Sequence, residues 1–222
     1  MYLIRAPNCA RAHELAIAKV LRYGILITTE DNEQTLELDE DLNIFIKTPL
    51  ENPRTSQICK FGENGLKLYR DNLIHGDTNK FEYTYHDQLF HYGKNADSIY
   101  IAQIDQIQQC INHLKTDPTT RRAQAITWTP GIHPFTKYPP CLQRIQFTIR
   151  PTTEPKVNMY AVFRSNDILS ALGQNMYALT ELQKWVADQL NIPVGTYSHT
   201  ITVPHIYHIR DENLVDEFKN HL

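Results

Sequence analysis

The chain has 222 residues, 41% of them hydrophobic and 21% charged, an ordinary balance for a globular protein of one large domain or two small ones. Its formal net charge of -3 gives no basic bias toward DNA or RNA, no apolar run approaches the ~20 residues of a membrane helix, and the opening Met1-Tyr2-Leu3-Ile4-Arg5-Ala6-Pro7 lacks the basic start and long apolar core of a signal peptide. Nucleic acid and membrane are therefore not the expected partners, the cytoplasm is the expected compartment, and Cys9, Cys59, Cys110 and Cys141, none in a C-x-x-C pair, are expected as thiols with no zinc site.

Residues 8–23 read as a helix capped by Asn8, striped by Leu15, Ile17, Val20 and Leu21, and ended by Gly24. Strands are expected over 24–29 and 43–48, with an acidic, exposed hairpin or loop over 29–41 between them. Pro49, Pro53 and Gly62 break the next stretch, and 66–74 is a short helix candidate. Residues 98–114 carry Ile101, Ile104, Ile107, Ile111 and Leu114 near helical spacing, with Cys110 on the same apolar stripe and Pro118 shortly after. A strand over 123–129 precedes a Pro/Gly-rich loop over 130–140. Strands over 143–150, 157–163 and 200–207 follow, with a helix over 175–190 between the last two. No linker, repeat or low-complexity run interrupts them. The pattern predicts an α+β fold, a single domain over 1–222 with a large mixed β-sheet flanked by helices.

Cys141 follows Pro139-Pro140 and precedes an alternating strand, so a stiff turn presents its thiol at a sheet entrance. Arg164-Ser165 offers a guanidinium fork and a hydroxyl at the end of the next strand, a pairing that suits phosphate. Taken alone, that arginine and the adjacent Arg121-Arg122 read equally well as solvated surface charge. A cysteine, an anion-binding arginine and the pair His205 and Tyr207 on successive strands suggest covalent chemistry on a phosphorylated substrate.

The ordered set Asp117-Pro118-x-x-Arg121-Arg122, Pro139-Pro140-Cys141-x-x-x-x-Gln146-Phe147, Arg164-Ser165-x-Asp167, Asn175 and His205-x-Tyr207 resembles the thymidylate synthase family in order and spacing. The resemblance covers residues 92–207. The short length and the stretch Phe81-Glu82-Tyr83-Thr84-Tyr85-His86 look like the archaeal branch of that family. It implies that Cys141 attacks C6 of dUMP, that Arg164 and Ser165 bind its phosphate, and that Asn175 bonds the uracil amide edge. By the same resemblance His205 and Tyr207 hold the deoxyribose 3'-hydroxyl, Asp167 contacts the pterin ring, Tyr92 lies near the nucleophile, and Gln146 lies on the nucleophile's strand. Arg121 and Arg122 would reach the phosphate of the neighbouring subunit, making a homodimer with shared active sites. The implied cosubstrate is 5,10-methylenetetrahydrofolate or 5,10-methylenetetrahydromethanopterin.

The residue types fit this chemistry. Uracil C5 is a weak nucleophile until a group adds at C6, and a thiolate adds readily and leaves again. Positive charge nearby favours a thiolate. The family's catalytic glutamate aligns with Tyr69, and Glu63, Asp71 and Glu82 are possible substitutes. Tyr83 or Tyr85 is expected to fill the space of the family's active-site tryptophan. The chain ends at Leu222, soon after Tyr207, so the family's closing C-terminal tail is expected to be missing. Two other readings stand beside the synthase. Hydroxymethylation of a pyrimidine nucleotide is one. Family members acting on cytidine nucleotides carry aspartate where Asn175 stands, so Asn175 favours dUMP for either reaction. The other is a catalytically dead binder of nucleotide or RNA, against which the intact Cys141, Asn175 and His205 and the net charge of -3 speak.

Overall fold

The computed structural model describes residues 1–59, 61–76, 85–93, 103–150 and 152–220. Strand β1 (Tyr2–Ala6) leads into helix α1 (Cys9–Tyr23), where Asn8 Oδ1 accepts from the Arg11 N–H at 3.0 Å and caps the first turn. The hairpin β2 (Ile25–Thr28) and β3 (Gln34–Glu37) follows, then β4 (Leu42–Ile46) and helices α2 (Gly62–His75), α3 (Tyr85–Phe90) and α4 (Gln106–Thr116). Strands β5 (Gln124–Ile126), β6 (Leu142–Ile149) and β7 (Val157–Asp167) precede helix α5 (Leu172–Leu190), strand β8 (Val194–Tyr207) and helix α6 (Glu212–Asn220).

The eight strands form one mixed sheet in the order β1-β4-β8-β7-β6-β5, with the β2–β3 hairpin joined to β8 through β3. The pairs β1–β4 and β7–β8 are parallel and the rest antiparallel. Alternation along each strand explains the layering. Ile4, Ile44, Ile145, Phe147, Met159, Phe163, Tyr197 and Ile201 are buried on one face. Helix α1 meets it with Ala12, Ala16, Ile17 and Val20, and α5 with Met176, Leu179, Leu182 and Val186, each large apolar side chain contributing roughly 1.5–3 kcal/mol. The neighbouring positions Arg5, Phe45, Arg144, Gln146, Tyr160 and Val162 are half-buried or exposed. The α+β class and the helix-flanked mixed sheet are as the sequence predicts.

Several boundaries differ from expectation, each for a local reason. The helix expected over 98–114 begins at Gln106, because Asp105 Oδ1 accepts from the Gln108 N–H at 2.8 Å and caps it there. Ile104 instead pairs with Tyr92 in an isolated bridge, and 98–102 lie outside the described residues. The helix expected over 66–74 starts at Gly62 and ends against Gly76, whose φ of 74° suits glycine. The strand expected over 123–129 covers Gln124–Ile126 only; Gln106 accepts from the Ile126 N–H and donates to the Ile126 carbonyl, replacing a strand partner with a side chain. Strand β1 and helices α3 and α6 are short elements that lie outside those the sequence pattern predicts.

Two histidines are wholly enclosed. His13 bonds Ser56 Oγ at 2.7 Å and the Ile168 carbonyl at 2.8 Å, tying α1 to the loop after β7. Burial holds the pKa of His13 below its ordinary value and pushes that of His199 down to about 3. Below about pH 6.5 the unfolded chain binds protons at these rings and the folded chain does not, so stability is lost as the pH falls from there toward 3. Urea unfolding at pH 7.5 and 5.5 is expected to show a loss of about 1–3 kcal/mol, since each ring contributes up to about 1.4 kcal/mol per pH unit. Equal stability at the two pH values would show that the rings are charged in the folded chain.

Candidate active site

Where β7 and β8 end and β6 begins, the sheet opens into a cavity of about 870 Å³. The parallel register sets Ser165 beside Val203, Asn166 beside Pro204 and Asp167 beside His205. On the far edge of β8, Glu37 lies opposite His205 and Thr35 opposite Tyr207. Helix α5 contributes Gln174 and Asn175 from its first turn, and α2 contributes Tyr69 and Asn72.

Cys141 lines this cavity, half-buried, one residue ahead of β6. The β6–β7 register is irregular between Leu142 and Arg144, a bulge that turns the chain beside the thiol. The Arg164 N–H donates to the Cys141 carbonyl at 2.9 Å. Its guanidinium reaches back as well, Nη2 to the Pro139 carbonyl at 2.7 Å and Nε to the Pro140 carbonyl at 3.2 Å. The Leu142 N–H donates to the Tyr85 hydroxyl at 3.3 Å on the other side. The two-proline turn is thus clamped by an arginine that also faces the cavity.

His205 Nδ1 lies 3.2 Å from Ser165 Oγ, and its ring meets Tyr207 edge-on at 5.1 Å. Burial, followed by the Glu33 carboxylate, pushes the Tyr207 phenol above its ordinary pKa and keeps it neutral. Asp167 Oδ1 accepts from the Leu169 and Ser170 N–H groups at 3.1 and 3.0 Å, while Oδ2 holds Arg210 Nη2 at 2.5 Å. Arg210 also bonds Asp211 and lies 3.8 Å over the Tyr207 ring. Asn175 is buried and held at both ends of its amide: Oδ1 accepts from the Tyr69 hydroxyl at 2.7 Å, and Nδ2 donates to Asn166 Oδ1 at 3.4 Å.

Of the residues singled out from the sequence, Cys141, Arg164, Ser165, Asp167, Asn175, His205 and Tyr207 converge on this cavity. Tyr92, Arg121, Arg122 and Gln146 do not line it. The Tyr92 hydroxyl donates to the Trp128 carbonyl at 3.1 Å. Arg121 and Arg122 are exposed in the loop before β5, and Gln146 Nε2 donates to the Arg121 carbonyl at 3.0 Å, tying that loop to β6. Tyr69, at the position that aligns with the family's catalytic glutamate, lines the cavity; of the possible substitutes, Glu63 is exposed at the start of α2 and Asp71 pairs with Arg70 at 2.6 Å. Glu82 and Tyr83 lie outside the described residues, whereas Tyr85 lines the cavity.

Sequence reasoning missed one wall of the cavity. Glu30, Asp31, Glu33 and Glu37 come from the β2–β3 hairpin, an acidic and largely exposed stretch as the sequence predicts, but one whose place at the cavity the sequence does not show. Its signal is long-range, the pairing of β3 with β8, and no local pattern carries it. Asn166 was passed over although it stands between Ser165 and Asp167. Among the described residues no group of three or more His, Cys, Asp or Glu side chains is arranged to hold a metal ion, and no helix is long and apolar enough to cross a membrane.

The family model described as "Thymidylate synthase" matches residues 52–222. Relatives carrying the description "Putative thymidylate synthase" include a protein of Methanocaldococcus jannaschii, 34% identical over 226 residues, covering 98% of this chain and 96% of the relative. One of Methanosarcina mazei is 32% identical, covering 92% and 89%. One of Methanothermobacter thermautotrophicus is 31% identical, covering 94% of each.

Arg164→Ala strips the Pro139 and Pro140 carbonyls of their donor and removes the cation beside Cys141. Loss of these charge-assisted bonds is expected to lower the unfolding free energy by about 1–3 kcal/mol and to weaken inorganic phosphate binding by roughly tenfold or more. Denaturant unfolding and calorimetric phosphate titration check the two effects. Unchanged phosphate affinity would show that Arg164 does not bind an anion.

Proposed function

The chain belongs to the thymidylate synthase family, and we propose that it converts dUMP to dTMP by reductive methylation, with a methylene-carrying reduced pterin as cosubstrate. The observation that carries this reading is the convergence of Cys141, Arg164, Ser165, Asn175, His205 and Tyr207 on one cavity of a size that suits two stacked ligands.

Arg164 and Ser165 hold the phosphate, His205 and Tyr207 the 3'-hydroxyl, and Asn175 the amide edge of the base. Cys141 Sγ, as the thiolate, forms a bond to C6 and the displaced electron pair makes C5 nucleophilic. The pterin, when bound, supplies the one-carbon unit and the hydride that reduces it. Loss of the C5 proton and departure of the Cys141 thiolate restore the double bond. The stiff Pro139-Pro140 turn and the Arg164 clamp keep the sulfur at a fixed approach, which is worth more in rate than in binding. Asp167 suits the amino and ring N–H edge of a pterin. Its Oδ2 already holds a guanidinium, a planar group with similarly placed donors, and its other oxygen is fixed by two backbone N–H groups. The cosubstrate is 5,10-methylenetetrahydrofolate or 5,10-methylenetetrahydromethanopterin.

A homodimer with shared sites completes the reading. Arg121 and Arg122 are exposed and lie outside their own subunit's cavity, and the sheet face bearing Phe45, Tyr160 and Val162 is only half-buried. Packing that face against a second copy by a two-fold axis buries it and lets the arginine pair enter the partner's phosphate site.

Incubation with 5-fluoro-dUMP and each pterin is expected to give a covalent adduct by intact mass, absent from Cys141→Ser. With dUMP the product mass should be that of dTMP. A hydroxymethylated product would assign the chain to the hydroxymethylase reaction instead, and no adduct with either pterin would overturn the covalent reading.

Mixing Arg122→Ala with Cys141→Ser is expected to restore about a quarter of wild-type activity, because half the dimers are mixed and each holds one site free of both lesions. No recovery, with subunit exchange demonstrated, would mean that Arg122 acts within its own subunit.

A further inference from the structure

Asn175 stands at the base edge in the reading above, and the present inference rests on that role. Its amide is nearly symmetric in shape but not in chemistry. A half-turn exchanges Oδ1 with Nδ2 and reverses the hydrogen-bond pattern offered to a pyrimidine. Uracil presents an N–H donor beside a carbonyl acceptor, and cytosine an acceptor beside an amino donor. An asparagine free to turn would serve either base.

Asn175 is not free to turn. Its Nδ2 donates to Asn166 Oδ1, and Asn166 Nδ2 donates in turn to His199 Nε2 at 3.1 Å. His199 Nδ1 lies 2.8 Å from the Tyr197 hydroxyl, and its ring stacks on Phe163 at 4.4 Å with an interplanar angle of 10°. All of Asn166, His199 and Tyr197 are buried, the last two completely. Burial keeps the imidazole neutral, with a single ring hydrogen. Since Nε2 accepts from Asn166, that hydrogen sits on Nδ1 and donates to Tyr197. Every link then has a direction. Turning Asn175 alone would set its Oδ1 against the Asn166 Oδ1, two acceptors face to face. A consistent reversal requires Asn166 to turn as well, the His199 hydrogen to move to Nε2, and Tyr197 to donate instead of accept.

We propose that His199, acting through Asn166 and anchored by Tyr197, fixes which way the Asn175 amide faces and thereby sets the preference for a uracil over a cytosine nucleotide. His199 and Tyr197 do not line the cavity, so both are positioning residues. A purely structural role would change stability, or the binding of both nucleotides alike; an orienting role changes their ratio.

The test is calorimetric binding of dUMP and dCMP to the full chain, wild type against Tyr197→Phe, His199→Leu and His199→Gln, with thermal unfolding to establish folding. The wild type is expected to favour dUMP. His199→Leu should narrow the dUMP-to-dCMP affinity ratio by about tenfold or more, the size of one mismatched buried hydrogen bond. Tyr197→Phe, which keeps the ring and removes only the hydroxyl, should narrow it less. His199→Gln, whose amide oxygen can accept from Asn166, should retain more of the ratio than His199→Leu. If His199→Leu does not fold, Tyr197→Phe carries the test alone. Folded variants that shift both affinities by one factor overturn the inference and leave the base-edge role of Asn175 standing. A wild type that binds dUMP no better than dCMP overturns that role and the inference with it.

Discussion

The parallel pairing of β7 with β8 is the constraint on which the site depends. Parallel neighbours cannot be joined by a tight turn, so the chain must cross over, and here the crossover is α5. Both strands therefore end at the same edge, and the helix that links them begins there too. Arg164 to Asp167, His205 and Tyr207, and Asn175 are delivered to one place by a single topological decision. The open end of such a pair is where α/β sheets generally bind ligands. Slipping the β7–β8 register by one residue would send Ser165 and Asp167 to the wrong sides of the sheet.

Around this axis the cavity is electrically divided. Arg164 and the Cys141 turn form one side, while Glu30, Asp31, Glu33 and Glu37 line another from the β2–β3 hairpin. Such a charge pattern attracts an anion at the Arg164 end and repels one at the hairpin. Arg164 carries a double load. The guanidinium that clamps the Pro139 and Pro140 carbonyls also faces the cavity, so the placement of Cys141 and the positive charge of the cavity wall share a side chain. Lysine, with one point charge, cannot keep both sets of bonds.

Short-range physics made much of this legible in the sequence. The Asn8 cap, the stiff entry to Cys141 and the alternation of β6, β7 and β8 are all encoded within a few residues. So was the order of the residues that meet in the cavity, because strands that follow one another tend to lie side by side. What local pattern could not carry was partnership across long separations. The acidic hairpin reads as exposed, and Glu30, Asp31 and Glu33 are exposed, but its place beside the cavity follows only from the pairing of β3 with β8. The helix expected from Ser98 follows apolar spacing, yet the cap at Asp105 overrides it. Tyr69 aligned with a catalytic carboxylate on resemblance alone, and only the folded chain sets its hydroxyl 2.7 Å from Asn175. His199 gave no signal, since its partner Asn166 meets it only once β7 and β8 pair in the sheet.

His199 carries more than packing. A neutral imidazole in a dry core costs stability unless both nitrogens are partnered, and an apolar side chain would fill the space next to Phe163 more cheaply. Asn166 and Tyr197 supply those partners, but both are polar and themselves buried, so the cost is moved along a line of groups until it reaches the cavity wall at Asn175. Such a line is tolerable only if each member is satisfied, and that same requirement is what removes its freedom to turn. The expense in the core and the order at the cavity wall are consequences of one arrangement. Replacing any inner member by an apolar residue would leave its buried neighbours unpaired, raising the first and losing the second.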